Sequence, residues 1–406
     1  MQPLPAFALS RLPRIVFGEG SLARLPAEIA ALGRRVLIVT GARSFQGGPH
    51  WRPLMDGLAA AGVGVETLAV PGEPEPALVD GAVAALQGAG IAVVVGIGGG
   101  SALDAAKAVA GLLPTGAKVL DHLEIVGRGL PYHGPALPVV AVPTTAGTGC
   151  EATRNAVISS IGTDGFKRSF RHDLLMPALA LVDPLLLEGC PRAVMAANGM
   201  DAFTQLLESY TSTGANPVTD ALAWAGMEAV AQGFFAALNG SGEAALDGND
   251  DEARSGRSRM AFAALASGIC LAHTGLGAVH GLASPLGAFF PIPHGVVCGT
   301  LLAEATRANV EALFERDPFG PALPRYAKVG ALLMGHARVC SGDGLLMLDD
   351  TLERWVEDLE MPRLSAFGMT AADIPRVVAA SGGNSMKTNP VVLTDDEIAG
   401  ILAARL

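Results

Sequence analysis

Residues 91–107, IAVVVGIGGGSALDAAK, join a β-branched run to an alanine-rich run through three consecutive glycines. The first part is almost wholly apolar, as a strand buried on both faces requires, and the second carries helical spacing. Gly98, Gly99 and Gly100 therefore mark a strand-to-helix turn. There, backbone N–H groups can approach a pyrophosphate while the helix N-terminus stabilises its charge, and Ser101 adds a hydroxyl donor. The run is not a GxGxxG fingerprint, and turn chemistry alone would also explain it. Asp104 and Lys107, at i and i+3, read either as a solvated ion pair or as polar contacts beside a cofactor.

The same punctuation recurs outward from this stretch. RRVLIVTG (34–41), VGVETLAV (63–70), LPVVAVPTT (137–145) and LALVDP (179–184) are short, apolar and closed by Gly or Pro. PEPALVDGAVAALQGAG (74–90) supplies a further helix between them. This rhythm predicts a mostly parallel sheet with helices on both faces and ligands at the carboxyl ends of its strands. A second loop, PTTAGTGCEATRNAVI (143–158), places Thr144, Thr145 and Thr148 among glycines, where hydroxyls can reach phosphate, ribose or a nicotinamide amide. Past Leu187 the strand signals fade. DAFTQLLESYTS, VTDALAWAGMEAVAQGFFAAL and SRMAFAALASGICLAH predict helices, so the expected division is an α/β domain over 1–187 and a helical domain over 188–406. NGSGEAALDGNDDEARSG (239–256) reads as an exposed connection, and a capped helix is expected to begin near Thr394.

The helical half holds the residues best suited to a metal. Asp201 and Gln205 stand at i and i+4 and project from one helix face. His280 and His294 cannot share that geometry on a straight helix, since a separation of fourteen positions would span about 21 Å. Pro285, Pro291 and Pro293 supply breaks that let the chain fold back and restart a helix near His294. Carboxylate, imidazole and amide oxygen suit Fe(II) or Zn(II).

The 406 residues fit two domains. A net charge of −11 with only 28 basic residues argues against a nucleic-acid surface. No uninterrupted apolar run has the length of a bilayer span, and the five cysteines form no CxxC pair, so a cytoplasmic protein with reduced thiols is expected. Cys150, inside the Thr-Gly loop, reads as a passive small residue.

GGGSALDAAK, PTTAGTGCEATRNAVIS, GMDAFTQ, VHGLASPLG and PHG, in this order, resemble the iron-containing (group III) alcohol dehydrogenases over nearly the whole chain. The resemblance implies a dehydroquinate synthase-like fold: a Rossmann-like dinucleotide-binding domain followed by a helical metal-binding domain. It implies NAD or NADP as cofactor and one divalent metal, Fe(II) or Zn(II), held by Asp201, His280 and His294, with Gln205 where many members carry His. Ser284 replaces a His given a proton-relay role in the family, and His273 is the alternative candidate. Gly41, Arg43 and Ser44 follow the first helix-linked strand, where many NAD-preferring members carry an acidic residue; its absence permits NADP(H). The implied activity is reversible hydride transfer between nicotinamide and a small primary alcohol or aldehyde; charge and hydropathy predict no nucleic-acid or membrane partner, and a homodimer is the default expectation for a soluble enzyme of this size. A metal-independent oxo-acid reductase of the maleylacetate reductase type, a dehydroquinate synthase-like lyase and a nucleotide-binding regulatory protein are the rivals.

Overall fold

The computed structural model describes residues 6–42, 44–241, 251–337 and 340–406. The β-branched runs become strands β1 (Arg14–Phe17), β2 (Arg35–Gly41), β3 (Gly64–Val70), β4 (Val93–Gly98), β5 (Val139–Pro143), β6 (Asn155–Ser160), β7 (Phe166–Arg171) and β8 (Leu179–Val182). Six of them form one parallel sheet in the order β1-β8-β5-β4-β2-β3. Helices α1 (Leu25–Leu32), α2 (Trp51–Ala60), α3 (Pro76–Leu86) and α4 (Gly100–Leu112) cover it. Alternation along β2 shows why both faces must be covered. Val36 and Ile38 pack with Val93, Val95, Leu54 and Leu58, while Leu37 and Val39 pack with Val94, Val83 and Val109 on the other side. Each such side chain contributes about 1.5–3 kcal/mol on burial, so the apolar strands are stable only between two helical layers.

From β2 the chain runs outward to β3, then returns to place β4 on the opposite side of β2 and continues to β5. The strand order therefore reverses between β2 and β4, and the carboxyl ends of those two strands flank a crevice of the kind that takes ligands in open α/β sheets. Asp183, just past β8, is buried and accepts N–H groups from Gly20 at 3.0 Å, Leu22 at 2.9 Å and Leu185 at 3.1 Å, which ties the chain around β1 to the far end of the sheet. β6 and β7 form a separate antiparallel hairpin that the sequence reading did not anticipate.

The α/β elements, Arg11–Ser160 with Gly165–Cys190, make one compact unit; Pro191–Leu406, with residues 6–10 and Ile161–Asp164, make the other. The second contains α5 (Arg192–Thr211), α6 (Pro217–Asn239), α7 (Asp251–Thr274), α8 (Ala278–Phe289), α9 (His294–Arg316), α10 (Ala322–Leu333), α11 (Ser341–Asp358), α12 (Ile374–Ala380) and α13 (Asp395–Ala404). α5 is its buried axis, enclosed on almost every side from Met195 onward. α6 has the length and hydropathy of a membrane span, and half of that window is buried within the protein. Thr394 caps α13 through a reciprocal pair with Glu397, as its sequence predicts. Residues 242–250 of the expected polar connection lie outside the described residues, and Asp251 already opens α7.

One expectation is corrected. Pro285 does not break the chain; it lies inside α8, and the turn before α9 occupies Phe290–Pro293. A proline inside a helix costs about 3 kcal/mol. Burial of Val279, Leu282 and Leu286 along the same helix outweighs that cost.

Candidate metal centre

Asp201 and Gln205 share one face of α5, as their spacing predicts, and both are buried. α8 brings His280 to them through an unusual start. Its N-terminal N–H groups are satisfied from distant segments: Ala278 N–H donates to Asn389 Oδ1 at 3.0 Å and Val279 N–H to Glu208 Oε1 at 2.7 Å. Gly277 is needed there, because a Cβ would stand 2.8 Å from the Asn389 oxygen and 2.9 Å from Glu208. α9 begins at His294 itself. Gly295 lets that first turn close on α5, since a Cβ would meet the Ala197 carbonyl at 2.7 Å.

The result is a cluster in which His280 Nε2 lies 3.2 Å and His294 Nε2 3.7 Å from Asp201 Oδ1. Cys298, one turn beyond His294, completes a set of four donors all within 4.8 Å of one another. Asp201 is fully buried and its Oδ2 has no hydrogen-bond partner among the described residues. A buried carboxylate oxygen left so is expensive, and a cation is the group it lacks. Burial would raise the Asp201 carboxyl, but His294 and His280 beside it outweigh that and hold it well below the usual carboxylate range. The donors therefore fit a divalent ion in charge, chemistry and spacing.

Glu208 orients the site. Its Oε2 lies 2.6 Å from His280 Nδ1 and accepts the proton of that nitrogen, so the other ring nitrogen, Nε2, is the one that faces Asp201 and His294 and is available to an ion that displaces its proton. Glu208 was not singled out in the sequence, although its place seven residues after Asp201 puts it on the same helix face. Cys298 at i+4 from His294 was equally readable. Burial pushes its thiol up to about 12, against the pull of His280.

Gln205 is placed differently from a simple ligand. Its Nε2 donates to Asp201 Oδ1 at 3.0 Å and its Oε1 accepts from Ser267 Oγ at 2.8 Å. His273 lies outside the converging donors: its Nδ1 donates to the Ile269 carbonyl of its own helix at 2.7 Å, and its Nε2 is buried without a partner among the described residues. Ser284 sits on α8 one turn past His280.

The glycine and threonine loops meet in the α/β unit. Thr144 N–H donates to the Gly98 carbonyl at 3.0 Å, and Cβ atoms built at Gly99 and Gly100 would stand 3.2 Å from Thr145 Oγ1 and 3.0 Å from Thr148 Oγ1. No side chain caps α4, whose first N–H groups, with Ser101, are left at the carboxyl end of β4. Gly41 ends β2 and its N lies 3.4 Å from the Cβ position of Gly98, so the two glycines line the point of strand reversal. Ser44 is exposed in the turn after β2, and Arg43 lies outside the described residues.

Asp104 and Lys107 do not form a solvated pair. Lys107 is fully buried and donates to the Cys150 carbonyl at 2.9 Å and to Thr153 Oγ1 at 3.1 Å; Asp104 accepts from Cys150 Sγ at 2.9 Å. These contacts fasten α4 beneath the threonine loop. Burial, reinforced by Asp104, holds the Cys150 thiol well above its ordinary value, so it packs as a neutral group.

A parallel sheet with two glycine- and threonine-lined loops at its carboxyl edge, and a helical unit with a carboxylate–imidazole cluster, are the candidate sites for a nucleotide and for a metal. Residues 13–184 match the iron-containing alcohol dehydrogenase family, and residues 195–406 match the C-terminal domain of the Fe-containing alcohol dehydrogenases. Lactaldehyde reductase of Escherichia coli is 32% identical over 384 residues, covering 91% of this chain and 92% of that protein. Alcohol dehydrogenase 4 of Schizosaccharomyces pombe is 35% identical over 77% of this chain and 68% of its own length. Among solved structures, a 1,3-propanediol oxidoreductase superposes with a TM-score of 0.86 at 27% identity, covering 99% of this chain and all of that one. Sulfoacetaldehyde reductase from Bifidobacterium kashiwanohense, solved with NAD+, gives 0.82 at 25% identity over 99% of both chains. The chain belongs to the iron-containing alcohol dehydrogenase family, and is accordingly an oxidoreductase of CH–OH groups.

Proposed function

We propose that this protein interconverts a small primary alcohol and its aldehyde with NAD(H) or NADP(H), and that Asp201, His280 and His294 hold the Fe(II) or Zn(II) on which the reaction depends. The observation that carries this reading is the convergence of those three donors at Asp201 Oδ1, on a buried carboxylate whose other oxygen, Oδ2, has no hydrogen-bond partner among the described residues. When bound, such an ion supplies Lewis acidity toward a substrate oxygen. The chain's own contribution is orientation. Glu208 fixes the His280 tautomer, and Asp201 and His280 are held inside packed helices. The His294 side chain is 28% exposed and gives the cluster its open side.

For the cofactor, Gly98, Gly99, Gly100 and Ser101 would take the pyrophosphate on the uncapped start of α4, with Thr144, Thr145 and Thr148 as hydroxyl donors. Lack of a carboxylate between Gly41 and Ser44 supports use of NADP(H) as well as NAD(H). Proton transfer at the substrate would use water, a ribose hydroxyl or His273 in place of the titratable group that Ser284 cannot supply. We also propose a cytoplasmic homodimer. Exposed Ile15 on edge strand β1 and the exposed apolar residues Phe7, Leu9 and Leu12 ahead of it support self-association, which light scattering would test.

The test is metal content of the purified protein together with NADH- and NADPH-dependent aldehyde reduction before and after chelation and add-back. About one ion per chain, with activity lost on chelation and restored by that ion, is the expected result. A second reading, a metal-independent oxo-acid reductase, is favoured by one observation: Gln205 Nε2 already donates to Asp201 and so partly satisfies the carboxylate without an ion. Undiminished turnover in metal-free protein would select it.

A further inference from the structure

The sequence offered Gln205 as the fourth metal donor. The structure offers another. Donors about 2.0–2.3 Å from a tetrahedral ion lie about 3.3–3.8 Å from one another. Asp201 Oδ1 is 3.2 Å from His280 Nε2 and 3.7 Å from His294 Nε2, so these three atoms already match edges of such a tetrahedron. Cys298 Sγ lies 3.6 Å from His280 Nε2 and 3.9 Å from His294 Nε2, which adds one edge inside that range and one just beyond it. Its position follows from the helix: at i+4 from His294 in α9 it faces the same way as that imidazole.

Gln205 lacks this freedom. Its amide nitrogen is engaged by Asp201 and its oxygen by Ser267. Ser267 Oγ also lies 2.8 Å from the Ala264 carbonyl, and the hydroxyl has one proton. If that proton goes to Ala264, the amide must turn over, and its oxygen then stands where the nitrogen was, 3.0 Å from Asp201 Oδ1 with no proton between them. The arrangement that satisfies Asp201 therefore keeps the amide oxygen away from the cluster.

We propose that Cys298 is a metal ligand: in the substrate-free protein its thiolate completes, with Asp201, His280 and His294, a four-coordinate site that selects Zn(II) over Fe(II). This rests on the reading that the cluster holds a divalent ion. Coordination transfers the thiol proton to solvent as the metal–sulfur bond forms, which a divalent ion drives even for a buried thiol. The thiolate is the soft donor that discriminates zinc from iron in mixed sites, and Gln205 remains a positioning residue that holds Asp201 by its amide N–H. With two anionic donors the protein ligands would neutralise the ion, against a net charge of about +1 with Gln205 in that place.

The experiment is zinc K-edge X-ray absorption on the zinc-loaded full chain and on Cys298→Ser, with elemental analysis of both and circular dichroism to confirm folding. One sulfur scatterer at about 2.3 Å beside nitrogen and oxygen at about 2.0–2.1 Å is expected in the wild type, and the sulfur shell should vanish in Cys298→Ser while zinc remains bound. Competition between Zn(II) and Fe(II) should shift toward iron by about ten-fold or more in the variant. Stoichiometric zinc with only nitrogen and oxygen neighbours, or a sulfur shell that survives in Cys298→Ser, would overturn the ligand assignment and leave the metal site standing. Failure to bind zinc or iron at all would overturn both.

Discussion

Replacing Glu208 by Gln changes one atom and should disable the metal centre through a tautomer. In the wild type the carboxylate accepts from Val279 N–H at 2.7 Å and faces His280 Nδ1 at 2.6 Å, with Glu208 only 7% exposed. An amide cannot serve both. If its oxygen stays on Val279, its NH2 faces Nδ1, which must then accept, and the ring proton moves to Nε2, where a ligand lone pair is required. If the amide turns over, its NH2 confronts the Val279 N–H. Keeping the metal-binding tautomer forfeits a charge-assisted hydrogen bond in a buried site, about 1.5–3 kcal/mol. At about 1.4 kcal/mol per decade, zinc affinity should fall about 10- to 100-fold. Competition against a chromophoric chelator at neutral pH measures this directly, on protein whose helical content matches wild type. Affinity within about two-fold of wild type would refute the tautomer argument.

Three further outcomes test the scaffold. Burial raises the Glu151 carboxyl to about 7 from an ordinary 4.5, with Lys107 only partly offsetting it, so the folded protein keeps that proton after the unfolded chain has lost it. Stability from this group is present below pH 4.5 and declines as pH rises through 7, and Glu151→Gln should gain about 2–3 kcal/mol relative to wild type between pH 5 and 8, read by denaturant titration at each pH. Asp183→Ala leaves three backbone N–H groups without their acceptor and should cost about 3–5 kcal/mol, with faster hydrogen exchange around β1 and β8; Asp183→Asn should cost less than half as much. Gly199→Ala would set a Cβ 2.1 Å from Phe234 Cε2, so thermal melting should show a loss of about 1–3 kcal/mol, and an unchanged midpoint would contradict the packing.

Much of the architecture was legible because its signals are local. Apolar runs closed by Gly or Pro became β2, β3, β4, β5 and β8, and the i, i+4 spacing of Asp201 and Gln205 became a shared helix face. What escaped depends on partners distant in sequence. Asp104 and Lys107 look like a surface pair until Cys150 and Thr153, over forty residues later, enclose them. Glu208 gains its role only when His280, 72 residues away, reaches it. Pro285 signals a break that burial of its neighbours overrides. The β6–β7 hairpin, NAVISS with FKRSFR, mixes polar and charged residues and lacks the apolar run that marked the other strands.

His294 occupies a different mechanical situation from its neighbours in the cluster. Asp201 and His280 are locked within helices whose backbone and side chains are enclosed, whereas His294 is the first residue of α9, follows the turn at Phe290–Pro293 and has a partly exposed ring. That partial exposure gives the cluster a side that solvent reaches while every helix stays intact. An ion held there as proposed would leave through that side without unfolding of the chain, so a chelator is expected to empty the site of a fully folded protein.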